Sequence, residues 1–339
     1  MNIVCPRASI IILTKNEEAN IGKCLDGVFA QKVDFPFEVI VVDSGSTDRT
    51  IDIARKHDVK LLQIPAKEFD HGLTRQFGAE HGSGEFVVTI VADAVPVGEM
   101  WLANLLKPFA EDERIVGVYG GQIPRENCDP FNAAQLRAWV TGQDKRIVHH
   151  LPEGARLMDM TPEKRREVVN FDDINSARRR GILEKFPFPG CEYAEDLAWA
   201  WDVLSAGYTL LYEPSAKVIH SHRRTLAYAF KKRFLDQRFL VLYFGLAIYN
   251  CLTTAARSIV REIRNYLAIA VRLRGIWRKI KWTLLAPFFA VAEISGSYLG
   301  IMSARDMSQC RSDLEKQLKR KADAIAKKFA ATAIRHPKG

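Results

Sequence analysis

Hydrophobic positions in the first 120 residues fall in short unbroken runs rather than in alternation. Ala8–Thr14 (ASIIILT), Glu38–Val42 (EVIVV), Val59–Ile64 and the Val/Ile stretch of Glu85–Pro96 (EFVVTIVADAVP) are rich in β-branched residues. Runs of this kind predict strands covered on both faces. Between them, apolar residues recur at helical spacing. Ile21, Leu25, Val28 and Phe29 form one such set, and Ile51, Ile53 and Ala54 another. Leu73–His81 and Glu99–Ala110 also read as helices, and Ile115–Tyr119 as a fifth strand. The alternation predicts an α/β domain with a mostly parallel central sheet flanked by helices.

The pattern is less regular further on. Gln135–Val148 reads as a helix, residues 156–166 as a polar loop, and Leu210–His222 as a strand pair. Ala177-Arg178-Arg179-Arg180 is a basic cluster, read as a solvated helix face or as a phosphate contact. Leu197, Trp201 and Leu204 predict a helix beginning at Glu195-Asp196. From Thr225 the chain changes character. Residues 258–282 set Ile259, Ile263, Tyr266, Leu267, Ala270, Leu273 and Trp277 among five arginines, the signature of a basic interfacial helix. Residues 282–302 are apolar over roughly 20 positions, about a bilayer's thickness, but contain Pro287, Glu293, Gly296 and Gly300. We read them as lying in or re-entering the interface, with a true span and a soluble core helix as alternatives. Residues 311–339 read as a charged helix that frays. The expected domains are 1–222, and 223–339 as a basic, helical, membrane-interacting region.

Charge sharpens this division. Among 339 residues with a net charge of +9, residues 223–339 carry 24 Lys and Arg against 7 Asp and Glu. Residues 1–222 carry 25 against 33. A basic end on an acidic body predicts an anionic partner. With no nucleic-acid motif present, an anionic membrane surface leads and nucleic acid is not expected. The six cysteines are scattered with no CxxC pair, which points to reduced thiols in the cytosol and away from a disulfide framework. Residues 1–20 do not read as a signal peptide.

Polar residues follow the strands where chemistry would sit. Thr14, Asn16 and Glu17 follow the first, Asp43 and Ser44 the second, and Asp93 the fourth. Parallel strands bring these ends to one edge, where open α/β sheets bind ligands. Asp93 alone could be a metal ligand, a general base or a cap. His220 and His222 lie two apart near the end of an extended stretch and face one side if it is a strand, so a metal site is one reading. Asp196 could aim a carboxylate into a cleft as a general base, or only favour a helix dipole. Neither GxGxxG nor GxxxxGK[ST] occurs.

TKNEE after strand one, VVDSGSTDRT after strand two, FDHGLTRQFGA, VADAVP, FDDINSARRR, FPFPGCEYAEDLAWA and VIHSHRRTLAYAFKKRF together resemble a family-2 inverting glycosyltransferase of GT-A fold. They are most similar to bacterial rhamnosyltransferases. The resemblance covers roughly residues 8–240. It implies a nucleotide-sugar donor held by Thr14, Asn16, Glu17, Asp43, Ser44, Arg75, Ala92 and Asp93. Within that set, Thr14, Glu17 and Asp43 would surround base and ribose, and Arg75 the diphosphate. It implies Mg2+ or Mn2+ held by Asp93 with His220 or His222, and Asp196 as general base with Glu195 beside it. The implied product is a glycosylated glycan or lipid-linked acceptor, with dTDP-rhamnose as the leading donor and UDP- or GDP-sugars with a polyprenyl-phosphate acceptor as the alternative. A non-catalytic binding protein of the same fold is a further alternative. The implied place is the cytoplasmic face of the inner or plasma membrane, peripheral or monotopic. Two departures stand out: Ala92-Asp93-Ala94 supplies one acid in place of DxD, and Gln76 replaces the usual Asn. The absence of Gln-x-x-Arg-Trp argues against a processive synthase.

Overall fold

The computed structural model describes residues 5–191 and 193–306. The chain separates into two compact units. The first comprises residues 1–127, 133–156 and 168–221; the second comprises 128–132, 157–167 and 222 onward.

The first unit is built on a nine-stranded sheet. Its opening half alternates as the pattern predicts: β1 (Ala8–Thr14), α1 (Ile21–Phe29), β2 (Phe37–Asp43), α2 (Thr50–Ala54), β3 (Lys60–Gln63), α3 (His71–Glu80) and β4 (Phe86–Val91). β1 lies parallel between β2 and β4, and β3 runs parallel outside β2. The apolar runs meet on one face with Ile21, Leu25 and Val28 of α1 in a continuous core.

Beyond β4 the sheet is mixed. β5 (Val95–Pro96), α4 (Trp101–Leu106) and β6 (Ile115–Ile123) follow in sequence. Then come α5 (Pro130–Ala138), β7 (Ile147–His149), α6 (Pro162–Val168), β8 (Asn175–Arg179), α7 (Arg180–Leu183), α8 (Glu195–Ser205) and β9 (Thr209–Ile219). β8 runs antiparallel to both β4 and β6, while β6 and β9 are parallel. Arg178 of the basic cluster is therefore neither on a helix face nor a surface phosphate contact, while Arg180 opens α7. Arg178 lies in a central strand with no exposed area, and its charge is met by Asp173 at 2.7 Å.

Three other expectations change. Within Gln135–Val148 the helix stops at Ala138, where the Gln143 side-chain amide donates to the carbonyls of Arg137, Ala138 and Trp139. The chain then extends as β7 against β9. Leu210–His222 holds one strand rather than two, with residues 214–217 absorbed by a register shift between the Gly120–Glu213 and Gln122–Val218 pairs. Residues 156–166 are not a bare loop: they contain the first turns of α6, tied by buried Arg165, which donates to the carbonyls of Leu157, Met160 and Phe244.

The second unit is helical. α9 (Leu226–Phe239), α10 (Leu252–Val271) and α11 (Ile276–Asp306) pack together, with Gly275 (φ +88°) separating the last two where the sequence predicted one continuous helix. A β-carbon at Gly296 or Gly300 would overlap the carbonyl oxygens of Phe230 and Phe234, so these glycines let α9 and α11 touch backbone to backbone. Glu293, costly in the sequence reading, is buried but not alone. It accepts from Arg224 at 2.6 Å and from the Tyr266 hydroxyl at 2.8 Å, and Arg224 also grips Asp129 at 2.7 Å. The charged stretch 311–339 lies outside the described residues.

Replacing Gly300 by Val should lower stability by about 1–3 kcal/mol through overpacking against α9, read as a fall in midpoint on denaturant unfolding. Arg224→Met should cost more, about 3–5 kcal/mol, because two buried carboxylates lose their cation. A neutral result for the second would mean the network is relaxed by water.

Candidate active site

The sheet register brings the strand-end residues together. Thr14 lies beside Asp43, and Leu13 beside Val91, so the segments that follow leave the sheet at one edge. The two loops there are stitched by side chains. Asn16, at φ 53°, accepts from the Thr47 amide at 2.8 Å, and its own amide donates to Ser46 Oγ at 2.9 Å. Asp43 is fully buried and accepts from the amides of Gly45 and Ser46, both at 3.0 Å, and from the Ser46 hydroxyl. The Ser44 amide donates to the Thr14 carbonyl at 3.0 Å. Asn16, Asp43 and Ser44 thus hold the shape of this edge. Among the described residues, the Thr14 hydroxyl is sealed from solvent without a hydrogen-bond partner, a state that buried polar groups rarely tolerate unless a ligand meets them.

Asp93 lies in the turn after β4. Its neighbours Ala92 and Ala94 are in the apolar core, which explains the single acid: a carboxylate at 92 would have to be desolvated. β5 pairs with the end of β9, Val95 opposite Ile219, and this carries His220 to Asp93. His220 Nε2 stands 3.5 Å from Asp93 Oδ1, and Arg125 Nη2 stands 3.7 Å from Oδ2. Arg125 also donates to the Asp93 carbonyl. Glu17 belongs to the same group. Burial foremost, with the Asp93 charge adding, raises its carboxyl, while the Asn20 amide at 2.7 Å opposes the shift.

The tautomer of His220 follows from its other side. Gln122 Nε2 donates to Asp172 Oδ2 at 2.6 Å, so Gln122 Oε1 faces His220 Nδ1 at 3.0 Å. Nδ1 must then carry a proton. A neutral His220 presents its Nε2 lone pair toward Asp93, the arrangement that metal-binding histidines share. One carboxylate oxygen and one imidazole nitrogen fit a first-row divalent ion such as Mn2+ better than an all-oxygen Mg2+ site. His222 follows two residues on, where the second unit begins.

A second cluster surrounds the start of α8. Ala194 takes a left-handed φ of 58°, strained for a residue with a β-carbon, and turns the chain so that Glu195 and Asp196 open the helix. Glu195 is buried and accepts from Arg75. Arg75, the expected diphosphate partner, is 5% exposed and lies between Glu195 and Asp173, the latter at 3.8 Å. Arg178 holds Asp173 from the other side, with its guanidinium 4.2 Å from the Trp199 ring centre and 4.4 Å from that of Phe188. Asp196 keeps partial exposure. Its carboxyl is raised well above the usual range, by burial first and then by the charges of Glu195, Asp173 and Asp172. Gly72 of α3 is required here, since a β-carbon would overlap the Pro189 carbonyl oxygen.

Asp172 acts on both clusters: it anchors Gln122 behind His220, and its charge raises Asp196. Arg125, Gln122, Asp172 and Asp173 were not singled out in the sequence. The FDD triplet was the available signal for the last two. Arg125 and Gln122 carry none, because only the pairing of β6 with β9 brings them near His220.

The model of glycosyl transferase family 2 matches residues 9–186, more than half the chain. An O-antigen chain rhamnosyltransferase of Salmonella typhimurium is 29% identical over 232 residues, covering 67% of this chain and 70% of that protein. Another, from Salmonella anatum, is 29% identical over 209 residues, covering 61% of this chain and 63% of its own length. Among solved structures, a mannosyltransferase from Pyrobaculum calidifontis in complex with GDP-Man and Mn2+ covers 99% of this chain and 82% of that one, at 22% identity and a TM-score of 0.47. The mixed sheet flanked by helices is the GT-A arrangement of such enzymes, and the chain belongs to glycosyl transferase family 2.

Proposed function

We propose that this glycosyltransferase moves rhamnose from dTDP-rhamnose to a glycan or lipid-linked acceptor with inversion at the anomeric carbon. The observation that carries the reading is the pairing of two charge clusters through Asp172. One holds Asp93, Arg125 and His220; the other offers an acid, Asp196, with a raised affinity for protons. The relatives' names, both O-antigen chain rhamnosyltransferases, favour rhamnose over other sugars. A UDP- or GDP-sugar donor is the competing reading on the same site.

The chemistry follows from charge. Thr14, with its unmet hydroxyl, and Glu17 are the groups assigned to base and ribose, over the loop shape held by Asn16, Asp43 and Ser44. The bond from the anomeric carbon to the diphosphate breaks with its electron pair leaving on the diphosphate. Arg125 is the cation positioned beside Asp93 to meet that charge. Asp93 and His220 are the residues assigned to hold Mn2+ or Mg2+, which when bound supplies Lewis-acid neutralisation of the diphosphate. Asp196 accepts the acceptor hydroxyl proton as that oxygen bonds to the anomeric carbon from the opposite face. Its raised proton affinity suits a base, and Glu195, neutralised by Arg75, stiffens the turn that presents it. We assign the enzyme to the cytoplasmic face of a membrane, held there by the basic helical region.

Asp196→Asn should reduce transfer by roughly 10²–10⁴-fold with donor affinity nearly unchanged; lost donor affinity would move the base elsewhere. The sign of linkage gives a second readout. An acid raised on folding favours the native state while protonated and disfavours it once ionised. The Asn variant should therefore be the more stable at neutral pH, and the gain should fade as pH falls toward the ordinary Asp value, about 4. For the native enzyme, kcat/KM should climb with pH along a limb lying above the usual carboxylate range.

The donor is tested by thermal shift with dTDP, UDP and GDP, each with and without Mn2+ or Mg2+. A ligand at a hundredfold excess over Kd stabilises by about 2.7 kcal/mol. A metal-dependent shift with dTDP alone, lost in Asp93→Ala, is expected. A shift with UDP or GDP instead would replace the donor, and none with any nucleotide on folded protein would turn the fold into a binding scaffold.

A further inference from the structure

α11 has two faces of opposite chemistry. The inward face carries Phe289, Ala290, Glu293, Gly296, Ser297 and Gly300, all buried or pressed on α9. The outward face carries Trp277, Ile280, Leu284, Phe288, Val291 and Leu299, all exposed. Their spacing of three, four or eight residues keeps them within about 100° of arc on a helix. Trp277 is 80% exposed, Leu284 65% and Phe288 60%. An apolar stripe of this length on a water-facing helix marks an interaction surface.

Charge selects the partner. Residues 252–305 carry nine Lys and Arg against two Glu. One of the two is Glu293, turned inward to Arg224 and Tyr266. Arg272, Arg274, Arg278 and Lys281 are exposed around the stripe's N-terminal end, next to Trp277. Apolar side chains flanked by cations and led by a tryptophan are the composition of a helix lying at the headgroup level of an anionic bilayer.

By length and composition α11 is apolar enough to cross a membrane, but half of its apolar window is buried against protein. Withdrawing it into a bilayer would strip Glu293 from Arg224, leave Arg224 and Asp129 without their third partner, and carry a carboxylate into hydrocarbon. We propose that α11 docks in the plane of an anionic lipid surface through the Trp277–Leu299 stripe, with the Arg272–Lys281 cluster on the headgroups and the helix still packed on α9. This rests on the membrane-surface reading above and names the face that carries it. It does not depend on the sugar transferred.

The full chain is sedimented with vesicles of phosphatidylcholine alone and of phosphatidylcholine with phosphatidylglycerol. Two variants are compared: Trp277→Ser/Leu284→Ser/Phe288→Ser, and Arg278→Glu/Lys281→Glu. All substituted side chains are outward, and circular dichroism checks that each variant is folded. The native chain should prefer the anionic vesicles. The apolar variant should bind them on the order of tenfold more weakly or less. The charge variant should lose the preference for anionic over neutral lipid. Bound native protein should be released at alkaline pH, as a surface helix is. Native binding with both variants unimpaired would overturn the proposed face while leaving the membrane reading standing. Native protein that ignores both vesicles would overturn both, and resistance to alkaline release would make α11 a span.

Discussion

The cation that the rest of the site depends on is Arg178, buried without exposed area in the middle of the sheet. An unpaired charge in that position would cost several kcal/mol, so its surroundings are dictated. Asp173 must be ionised beside it. Burial alone would raise that carboxyl, yet Arg178 and Arg75 together hold it below the usual range. The rings of Phe171, Phe188 and Trp199 close over the guanidinium, favourable to a weakly hydrated planar cation and poorly matched to an ammonium. Asp173 in turn orients Arg75, and Arg75 holds Glu195. Among the described residues Asp196, beside Glu195, makes no ion pair. The ion pairs thus hold the helix start rigid while leaving one adjacent carboxyl with a raised proton affinity.

This arrangement also explains what could be read from the chain and what could not. β1, β2 and β4 were legible because each is a run of Val and Ile, covered on both faces and closed by a polar residue. Their acids were legible because parallel topology alone puts such ends on one edge. β8 was not, since NSARRR has the composition of a solvated segment and becomes a central strand only because Asp173 and the rings of Phe171, Phe188 and Trp199 enclose its first arginine, Arg178. The same holds for Arg125 and Gln122, whose roles exist only after β6 and β9 are paired. Arg75 stood out through its motif, but its partners, Glu195 and Asp173, are 120 and 98 positions away and no local pattern names them.

The reduced acid motif at Asp93 can be understood in the same terms. Ala92 and Ala94 are core residues, so the turn offers one outward position, and the neighbouring strands make up the difference. Arg125 brings a fixed cation and His220 a nitrogen whose tautomer is set by Gln122 and Asp172. A site of this make-up carries less negative charge than two carboxylates would. It would hold a divalent ion more weakly when empty and more firmly once a diphosphate adds its own charge. Binding of metal and donor should then be mutually dependent, each raising the other's affinity by the same factor.

Glu293 shows how one residue changes meaning between sequence and structure. Inside an apolar run of twenty residues it argues against a simple membrane span. In the fold it is the residue that decides which side of α11 faces protein, because Arg233 of α9, Tyr266 of α10 and Arg224, just before α9, all reach it. Gly296 and Gly300 extend the same face into backbone contact with α9. Once that side is fixed by charge and by glycine, the opposite side is fixed by geometry. It collects Trp277, Leu284 and Phe288 in water, where burying each would gain about 1.5–3 kcal/mol. A buried carboxylate thus determines the exposure of an apolar stripe one helix diameter away, and that exposed stripe is the physical reason to expect a surface that covers it.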